Sequence, residues 1–258
     1  MPQRFGTPPL GLCPVCAGRC GPPGRTASRP DGTGKRRLEC ALFDLDNTLY
    51  PKSAGVMDVV SQRINEYMAL HLGMDEATIK ALRPRYWEQY GTTMRGLLLE
   101  HGISADDYLD YVHGFSAQEM LAPNAKLDEA LAQLPLRKVI FTSSTREHAQ
   151  QVLAALGVAR HFERTFDIRD TGYICKPDPA AYHTVLQALG LQAEQCLLAD
   201  DSLPNLQTAA SLGMVTVWVG SHARADGVTW AIERIECIAD VARTRTSRED
   251  GEEMRSHA

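Results

Sequence analysis

The spacing of apolar residues changes from one part of the chain to the next. A short apolar run, "LECALF" at residues 38–43, is typical of a buried strand. In the segment that follows, apolar residues recur at helical spacing up to Gly73, a residue type that commonly follows a helix end. These residues are Val56, Val59, Val60, Ile64, Met68 and Leu72. Further helical patterns follow in "DEATIKALRPRYWEQYG", "TTMRGLLLEHG", "SADDYLDYV" and "KLDEALAQL". Residues 53–120 contain no segment that predicts a strand.

From residue 137 onward, strand patterns alternate with helix patterns. The predicted strands are "RKVIFTS", "FERTFDI", "QCLLADD" and "MVTVWVG", and the helices between them are "REHAQQVLAALG", "PAAYHTVLQALG" and "LPNLQTAASLG". Such alternation favours a parallel sheet covered by helices on both faces. The prediction is therefore a Rossmann-like α/β core, residues 38–50 and 123–242. An all-helical insertion, residues 51–122 and called the cap below, interrupts it after the first strand.

Composition and charge narrow the partners and the location of the protein. The net charge of −5 over 258 residues gives no reason to expect a nucleic-acid partner. No apolar run reaches the length of a membrane span, and the amino terminus lacks the apolar stretch of a secretory signal. We expect a cytoplasmic protein, a monomer or a homodimer, without a membrane partner.

The two ends of the chain differ from the rest. Residues 1–37 hold seven Lys or Arg and one acid, together with seven of the 14 prolines and seven of the 20 glycines. Such a segment buries too little apolar surface to offset its ordering entropy, so we expect a disordered basic arm and a disordered tail at 243–258. Within the arm, "CPVCAGRC" has metal-like cysteine spacing without the second pair of a zinc site, and "GTGKRR" departs from the phosphate-loop pattern at both ends.

Polar residues gather where the predicted strands end. Binding sites of parallel sheets lie beyond the carboxyl ends of the strands, and three strands deliver acids or hydroxyls there, while a lysine lies just ahead of a helix. The residues are Asp44, Asp46, Thr142, Ser143, Ser144, Asp200, Asp201 and Lys176. Because side chains two apart in an extended segment point the same way, Asp44 and Asp46 are expected to face one site.

This set of side chains suits a phosphoryl group and a magnesium ion. Four neighbouring carboxylates repel one another, and Mg²⁺ binds such oxygen ligands together with phosphate oxygens. The lysine and the hydroxyls would then neutralise and bind the remaining phosphoryl oxygens, which is most of what phosphoryl transfer requires. Each motif alone is more often a turn or a helix cap. Their order at successive strand ends is what indicates a site.

The same motifs resemble those of the haloacid dehalogenase superfamily of phosphohydrolases. "FDLDNTLY", "VIFTS", "KPDP" and "LLADDS" look like its four motifs, and the insertion looks like its small helical cap. Within it, "YWEQYGTTMRGLL" in the cap is similar to the pyrimidine 5′-nucleotidase branch. That branch has Asn-Ala where this chain has Ser143 and Ser144, so Ser143 occupies the position that frames the phosphate.

The resemblance implies a role for each residue. Asp44 would attack phosphorus and form an aspartyl-phosphate, while Asp46 would protonate the leaving alkoxide and later deprotonate water. A carboxylic acid at position 46 favours an oxygen leaving group over a halide. The cofactor would be Mg²⁺, held by Asp44, the carbonyl of Asp46, and Asp201 with help from Asp200. Phosphoryl oxygens would bind to Thr142, Ser143 and Lys176.

Substrate choice is expected to lie in the cap. Arg95 is predicted to face the leaving group through its charge, and Tyr90 through stacking on a base, although Tyr90 equally fits a place in the cap interior. The first candidate substrate is a pyrimidine nucleoside 5′-monophosphate. Pyridoxal phosphate or a sugar phosphate stays open with the same chemistry. A non-catalytic phosphate-binding protein on this fold is the alternative from another class.

Overall fold

Six parallel strands form one sheet through the part of the chain that the structure describes, residues 37–241. The structure is a computed structural model. The strands are β1 (Cys40–Phe43), β2 (Arg137–Phe141), β3 (Arg164–Phe166), β4 (Cys196–Asp200), β5 (Val215–Val219) and β6 (Trp230–Ile232). Their order in the sheet is β3-β2-β1-β4-β5-β6. The predicted α/β class with a parallel sheet is confirmed.

The strand order reverses between β1 and β4, and this reversal fixes where a site can form. Connections leave β1 and β4 toward opposite sides, which opens a crevice beyond their carboxyl ends. The two strands pair in register, with Phe43 opposite Ala199. The amide of Asp44 continues the ladder by donating to the carbonyl of Ala199 at 2.9 Å. Asp44 and Asp200 therefore emerge side by side at this crevice.

Four helices cover the two faces of the sheet because each presents an apolar stripe to it. They are α5 (Ala125–Gln133), α6 (Arg146–Leu156), α7 (Pro179–Leu189) and α8 (Leu203–Ser211). Leu127, Leu131 and Val152 of α5 and α6 pack on one face with Phe43 and Ile140. On the other face, α7 and α8 pack against the alternate residues of the same strands. The strands are buried on both sides, as continuous apolar runs predict.

The cap consists of four helices between β1 and α5, and no strand interrupts them in this fully described stretch. They are α1 (Val56–Leu72), α2 (Glu76–Tyr90), α3 (Thr93–His101) and α4 (Ala105–Val112). The side chains of Asp75, Thr92 and Ser104 accept amide hydrogen bonds at three helix starts. Helices α2 and α3 approach closely at Gly96, where a Cβ atom would lie 2.3 Å from Cγ of Tyr86. The exact division between cap and core remains a prediction.

The structure adds one strand, β6, to the predicted elements, and it does not describe the two ends of the chain. Strand β6 was not predicted, because "WAI" is too short to show a period. It is positioned by Thr216 and Thr229, whose hydroxyl and amide groups bond each other across β5 and the turn before β6. The basic arm with Cys13, Cys16 and Cys20, and the tail 243–258, lie outside the described residues. Within residues 37–241, no helix has the length and apolar character needed to cross a membrane.

Candidate active site

A buried lysine joins the acids at the ends of β1 and β4. Nζ of Lys176 donates to Oδ1 of Asp44 at 2.9 Å and to Oδ2 of Asp200 at 2.7 Å. The side chains of Lys176 and Asp200 are 2% and 0% exposed, so their ion pair is fully buried, whereas the side chain of Asp44 is 11% exposed. The predicted residues from β1, β4 and the loop before α7 thus meet at one point.

The acids are held in place by short-range bonds from neighbouring segments. Thr48 donates to Oδ2 of Asp44 at 2.8 Å, and its oxygen accepts from the amide of Asp201 at 3.1 Å. Asn205 of α8 donates to both oxygens of Asp200 at 3.0 and 3.1 Å. The indole of Trp218 donates to the carbonyl of Asp201 at 2.9 Å. The carboxylates of Asp44 and Asp200, and the backbone of Asp201, are therefore held in position by hydrogen bonds within the protein.

The protonation of the cluster reflects its excess of negative charge. Burial, reinforced by the charges of Asp200 and Asp201, raises the pKa of Asp44 to about 8, although Lys176 acts in the opposite direction. Burial and the charge of Asp200 raise the pKa of Asp201 to about 6. Burial lowers the pKa of Lys176, but the attraction of Asp200 and Asp44 outweighs it, so Lys176 stays charged. One lysine does not neutralise three acids.

The same three carboxylates fit a divalent metal ion. Oxygen atoms of Asp44, Asp200 and Asp201 lie within 4.8 Å of one another, close enough to ligate a single ion. Carboxylate oxygens are the ligands that Mg²⁺ prefers, and the raised pKa values show a local charge that a cation would relieve. The side chain of Asp46 is not part of this group, so its predicted contribution is confined to the backbone carbonyl.

The carboxyl group of Asp46 has three side-chain donors of its own. Tyr50 donates to Oδ1 at 2.6 Å, Ser144 donates to Oδ2 at 2.6 Å, and Nε2 of His148 lies 2.9 Å from Oδ1. Burial raises the pKa of Asp46, but the bond and charge of His148 and the bonds from Ser144 and Tyr50 outweigh it. The pKa therefore lies well below its usual range, and Asp46 is a carboxylate at neutral pH.

The three hydroxyl residues after β2 have different roles. Thr142 is buried, and its oxygen accepts from the amide of Ser144 at 3.0 Å, which leaves its hydroxyl hydrogen available to a ligand. Ser144 is engaged with Asp46. Burial raises the pKa of the Cys175 thiol, and the hydroxyl of Ser143 acts against this rise. The predicted contact of Ser143 with a phosphoryl oxygen stays a prediction.

The structure separates the two predicted substrate residues of the cap. The amide of Arg95 donates to Oγ1 of Thr92 at 3.1 Å, and the thiol of Cys175 donates to the same oxygen at 3.9 Å, so the backbone of Arg95 lies near the loop that carries Lys176. Tyr90 instead donates to Glu100 at 3.0 Å and packs in the apolar cluster of the cap. Tyr90 is half-buried, with its ring against this cluster and its hydroxyl on Glu100, and its predicted stacking on a base stays a prediction.

His148 and Tyr50 contact Asp46 but were not predicted as site residues, whereas Ser144 was predicted among the strand-end hydroxyls. His148 lies on α6 among Ala149, Val152 and Leu156, all of which are buried. An ionisable residue on the apolar stripe of a helix needs a partner, and this signal was present in the sequence. Tyr50 carried no comparable signal, because hydroxyl residues are common next to strand ends.

Cap and core are joined at the surface by an ion cluster around Arg169. Its Nε lies 2.7 Å from Asp106, Nη2 lies 3.2 Å from Asp110, and Nη1 lies 3.0 Å from Glu147. Asp106 and Asp110 belong to α4 of the cap, whereas Arg169 and Glu147 belong to the core. Tyr173 adds a hydrogen bond to Asp106 at 3.0 Å. We call Arg169, Asp106, Asp110 and Glu147 the cap–core ion cluster.

Comparison with known proteins gives a consistent result over most of the chain. The family model described as "haloacid dehalogenase-like hydrolase" matches residues 38–213. "Phosphate metabolism protein 8" of Saccharomyces cerevisiae is 31% identical over 72% of this chain, and the match spans only 62% of the yeast protein. "Phosphoglycolate phosphatase" of Rhodospirillum rubrum is 28% identical over 69% of this chain and 78% of its own length.

A solved structure is similar in fold alone. The L-2-haloacid dehalogenase of Xanthobacter autotrophicus superposes with a TM-score of 0.52 at 18% identity. The match covers 80% of this chain and 98% of the dehalogenase. This likeness extends over both the sheet and the helical insertion.

Proposed function

Because this chain belongs to the haloacid dehalogenase-like hydrolases, we propose that it is a Mg²⁺-dependent phosphomonoesterase acting through an aspartyl-phosphate on Asp44. The observation that carries the proposal is the buried group of Asp44, Lys176 and Asp200 beside Asp201. A carboxylate, a positively charged lysine and carboxylates that could hold a metal ion lie together there, and this supports the proposal. The phosphatase relative in Rhodospirillum rubrum is consistent with it.

The residues of the chain divide the reaction into two balanced steps. An oxygen of Asp44 bonds to phosphorus while the ester bond breaks, and the leaving oxygen takes a proton from Asp46. Water then attacks the phosphorus of the aspartyl-phosphate and gives a proton to Asp46, and phosphate leaves. The low pKa of Asp46 suits the second step, in which it acts as a base. For the first step Asp46 must gain a proton, because it is ionised at neutral pH. The monoanion of a phosphate monoester, whose second pKa is near 6, can deliver that proton.

Lys176 and Thr142 would bind the phosphoryl group, and the acids of the site would hold a metal ion that helps to balance its charge. Lys176 offsets the charge of Asp44 and of the incoming group, and the Thr142 hydroxyl is free to donate to a phosphoryl oxygen. Asp44, Asp200, Asp201 and the Asp46 carbonyl would hold Mg²⁺. When bound, that ion supplies neutralisation of charge on the carboxylates and the phosphoryl oxygens.

The carboxyl group of Asp46 favours phosphate esters over haloacids as substrates. A halide leaves without a proton, whereas an alkoxide requires one, and Asp46 has three donors that hold it in position. The likeness to a dehalogenase concerns fold alone. Among phosphate esters, we propose a pyrimidine nucleoside 5′-monophosphate, on the basis of the cap segment and the position of Arg95. Tyr90 takes no part in this proposal.

A substrate panel tests the proposal. Phosphate release with Mg²⁺ is measured from UMP, CMP, AMP, pyridoxal phosphate, phosphoglycolate and a sugar phosphate, with halide release from 2-chloropropionate alongside. We expect phosphate from at least one ester, with UMP or CMP preferred, and no halide. Phosphate release from one of the other esters, without release from UMP or CMP, would support the phosphatase activity and contradict the proposed pyrimidine nucleotide substrate. A folded protein that binds Mg²⁺ and releases nothing would leave the phosphate-binding alternative.

Magnesium affinity is expected to increase by at least about tenfold between pH 6 and pH 8, because protons compete with the ion for the carboxylates. Asp201, with a pKa of about 6, and Asp44, with a pKa of about 8, both lose their protons over this range. Calorimetry in two buffers of different ionisation enthalpy measures the affinity and the protons released. Equal affinities at the two pH values, without proton release, would contradict this. Chelation with EDTA should stop turnover at either pH.

Replacing Arg169 with methionine is expected to raise KM by about threefold to tenfold and to leave kcat nearly unchanged. We expect the cap to open and close over the site, with the cap–core ion cluster favouring the closed position. Losing several partly exposed ion pairs would then lower the closed fraction to which substrate binds. Steady-state kinetics at 0.05 and 0.5 M NaCl provide the measurement.

The matched control is Arg137→Met, which removes the exposed pair with Glu163 at the opposite end of the sheet. Added salt should raise the KM of the wild type toward that of Arg169→Met, and should affect the variant less. Identical KM values for the two variants would show that the cluster does not favour closure.

A further inference from the structure

We infer that His148 is a positioning residue that aims the carboxyl group of Asp46, and that the returning end of the cap holds its ring. The inference rests on the proposed phosphatase function, in which Asp46 transfers both protons. His148 bonds the side chain of Asp46, whereas the predicted metal contact of Asp46 is its backbone carbonyl.

The imidazole of His148 is turned toward Asp46 from inside the protein. Its side chain has no exposed surface, and Nε2 lies 2.9 Å from Oδ1 of Asp46. The tautomer with hydrogen on Nε2 donates this bond to Oδ1. The contact links residues 102 positions apart in sequence, from the loop after β1 to α6.

Three donors leave the Asp46 carboxylate one free position. A carboxylate accepts about four hydrogen bonds, and Tyr50 and His148 occupy Oδ1 while Ser144 occupies one position on Oδ2. Because the donors come from three different segments, they fix both the plane and the rotation of the carboxyl group. The free position on Oδ2 is then the one that exchanges a proton with substrate or water.

The other side of the His148 ring is packed by the cap. The ring centroid of His113 lies 4.9 Å away and that of Phe115 lies 6.0 Å away, both on the segment that follows α4. Nδ1 of His148 is buried and has no hydrogen-bond partner. The orientation of the ring is thus set by the bond to Asp46 and by these two rings. The position of residues 113–115 is thereby transmitted to Asp46.

The effect of losing this donor should depend on the leaving group. A misplacement of about 1 Å at a reacting group costs roughly 100-fold in rate. His148→Leu removes the donor and is expected to slow phosphoryl transfer from an alkyl phosphate by about 100-fold. Transfer from 2,4-dinitrophenyl phosphate, whose leaving group needs no proton, should change by less than about threefold. His148→Gln keeps an N–H donor at a similar reach and should restore most of the rate.

Rapid-quench kinetics with Mg²⁺ provide the test, using the best alkyl phosphate of the panel and 2,4-dinitrophenyl phosphate. The amount of phosphorylated Asp44 and its rate of formation are measured for the wild type, His148→Leu and His148→Gln. A His113→Leu variant, expected to show a smaller loss of the same kind, tests the contact with the cap. If His148→Leu does not fold, His148→Asn replaces it, because its shorter amide does not reach Asp46.

The outcomes separate this inference from the proposed function. Equal losses with the two substrates would show a general structural role and would overturn the inference. Wild-type rates in His148→Leu with the alkyl phosphate would also overturn it. A wild-type protein that forms no phosphorylated Asp44 from either substrate would instead refute the phosphatase itself.

Discussion

Asp44→Asn is expected to abolish phosphate release and, at the same time, to raise the melting temperature of the metal-free protein. An amide does not replace the attacking carboxylate, and loss of a nucleophile lowers kcat by at least about 10⁴-fold. The stability gain follows from charge. With a folded pKa of about 8 against an ordinary value of 3.8, Asp44 binds its proton more tightly in the folded state. Stability therefore falls as the pH rises from about 4 through 8.

The two effects are measured separately. Phosphate release is followed with Mg²⁺ at pH 7.5, and thermal unfolding is followed in EDTA at pH 5 and pH 7.5. The rise in melting temperature should be larger at pH 7.5, because more of the penalty on Asp44 is present there. Asp75→Asn, at the exposed start of α2, is the matched control and should change neither property. More than 1% residual turnover in Asp44→Asn would exclude it as the nucleophile.

Lys176→Met is expected to be the most destabilising substitution at the site, as well as a severe loss of activity. Lys176 is the only lysine or arginine among the described residues that contacts Asp44 or Asp200, and it is 2% exposed. Removing one partner of a buried ion pair costs about 3–5 kcal/mol, because it leaves uncompensated charge. We expect kcat to fall by at least about 100-fold, in line with the loss of one preorganised electrostatic group.

A double variant distinguishes loss of charge balance from loss of packing. Lys176→Met with Asp200→Asn removes one positive and one negative charge together, and Asn205 can still bond the new amide. Denaturant unfolding should show that the double variant recovers at least half of the stability lost in Lys176→Met, without recovering activity. If the double variant were less stable than the single one, the aliphatic packing of Lys176 would be its main structural contribution.

The position of the proposed catalytic groups was predictable because parallel strands bring their carboxyl ends to one edge. Asp44 follows β1 and Asp200 ends the adjacent strand β4, and their meeting required only the strand order that the alternation of elements favours. Lys176 could be placed through its loop ahead of α7. The residue types then indicated phosphate and a metal ion.

The details that sequence did not predict depend on contacts between distant segments. The bonds from Ser144 and His148 to Asp46 span 98 and 102 residues, and they join the loop after β1 to the loop after β2 and to α6. Tyr90 bonds Glu100 because α2 and α3 approach closely at Gly96, which no local pattern reveals. Strand β6 takes its conformation from pairing with β5, since three residues show no periodicity of their own.

The hydrogen bond from Trp218 to the carbonyl of Asp201 gives this protein an intrinsic fluorescent reporter. Indole emission responds to nearby charge, and this indole is attached to the backbone of a predicted metal ligand. Trp87 lies on the cap with 65% of its surface exposed, so Trp87→Phe removes a solvent-exposed emission background. Magnesium occupancy could then be followed by titrating unlabelled protein in a fluorimeter, including in the inactive Asp44→Asn variant.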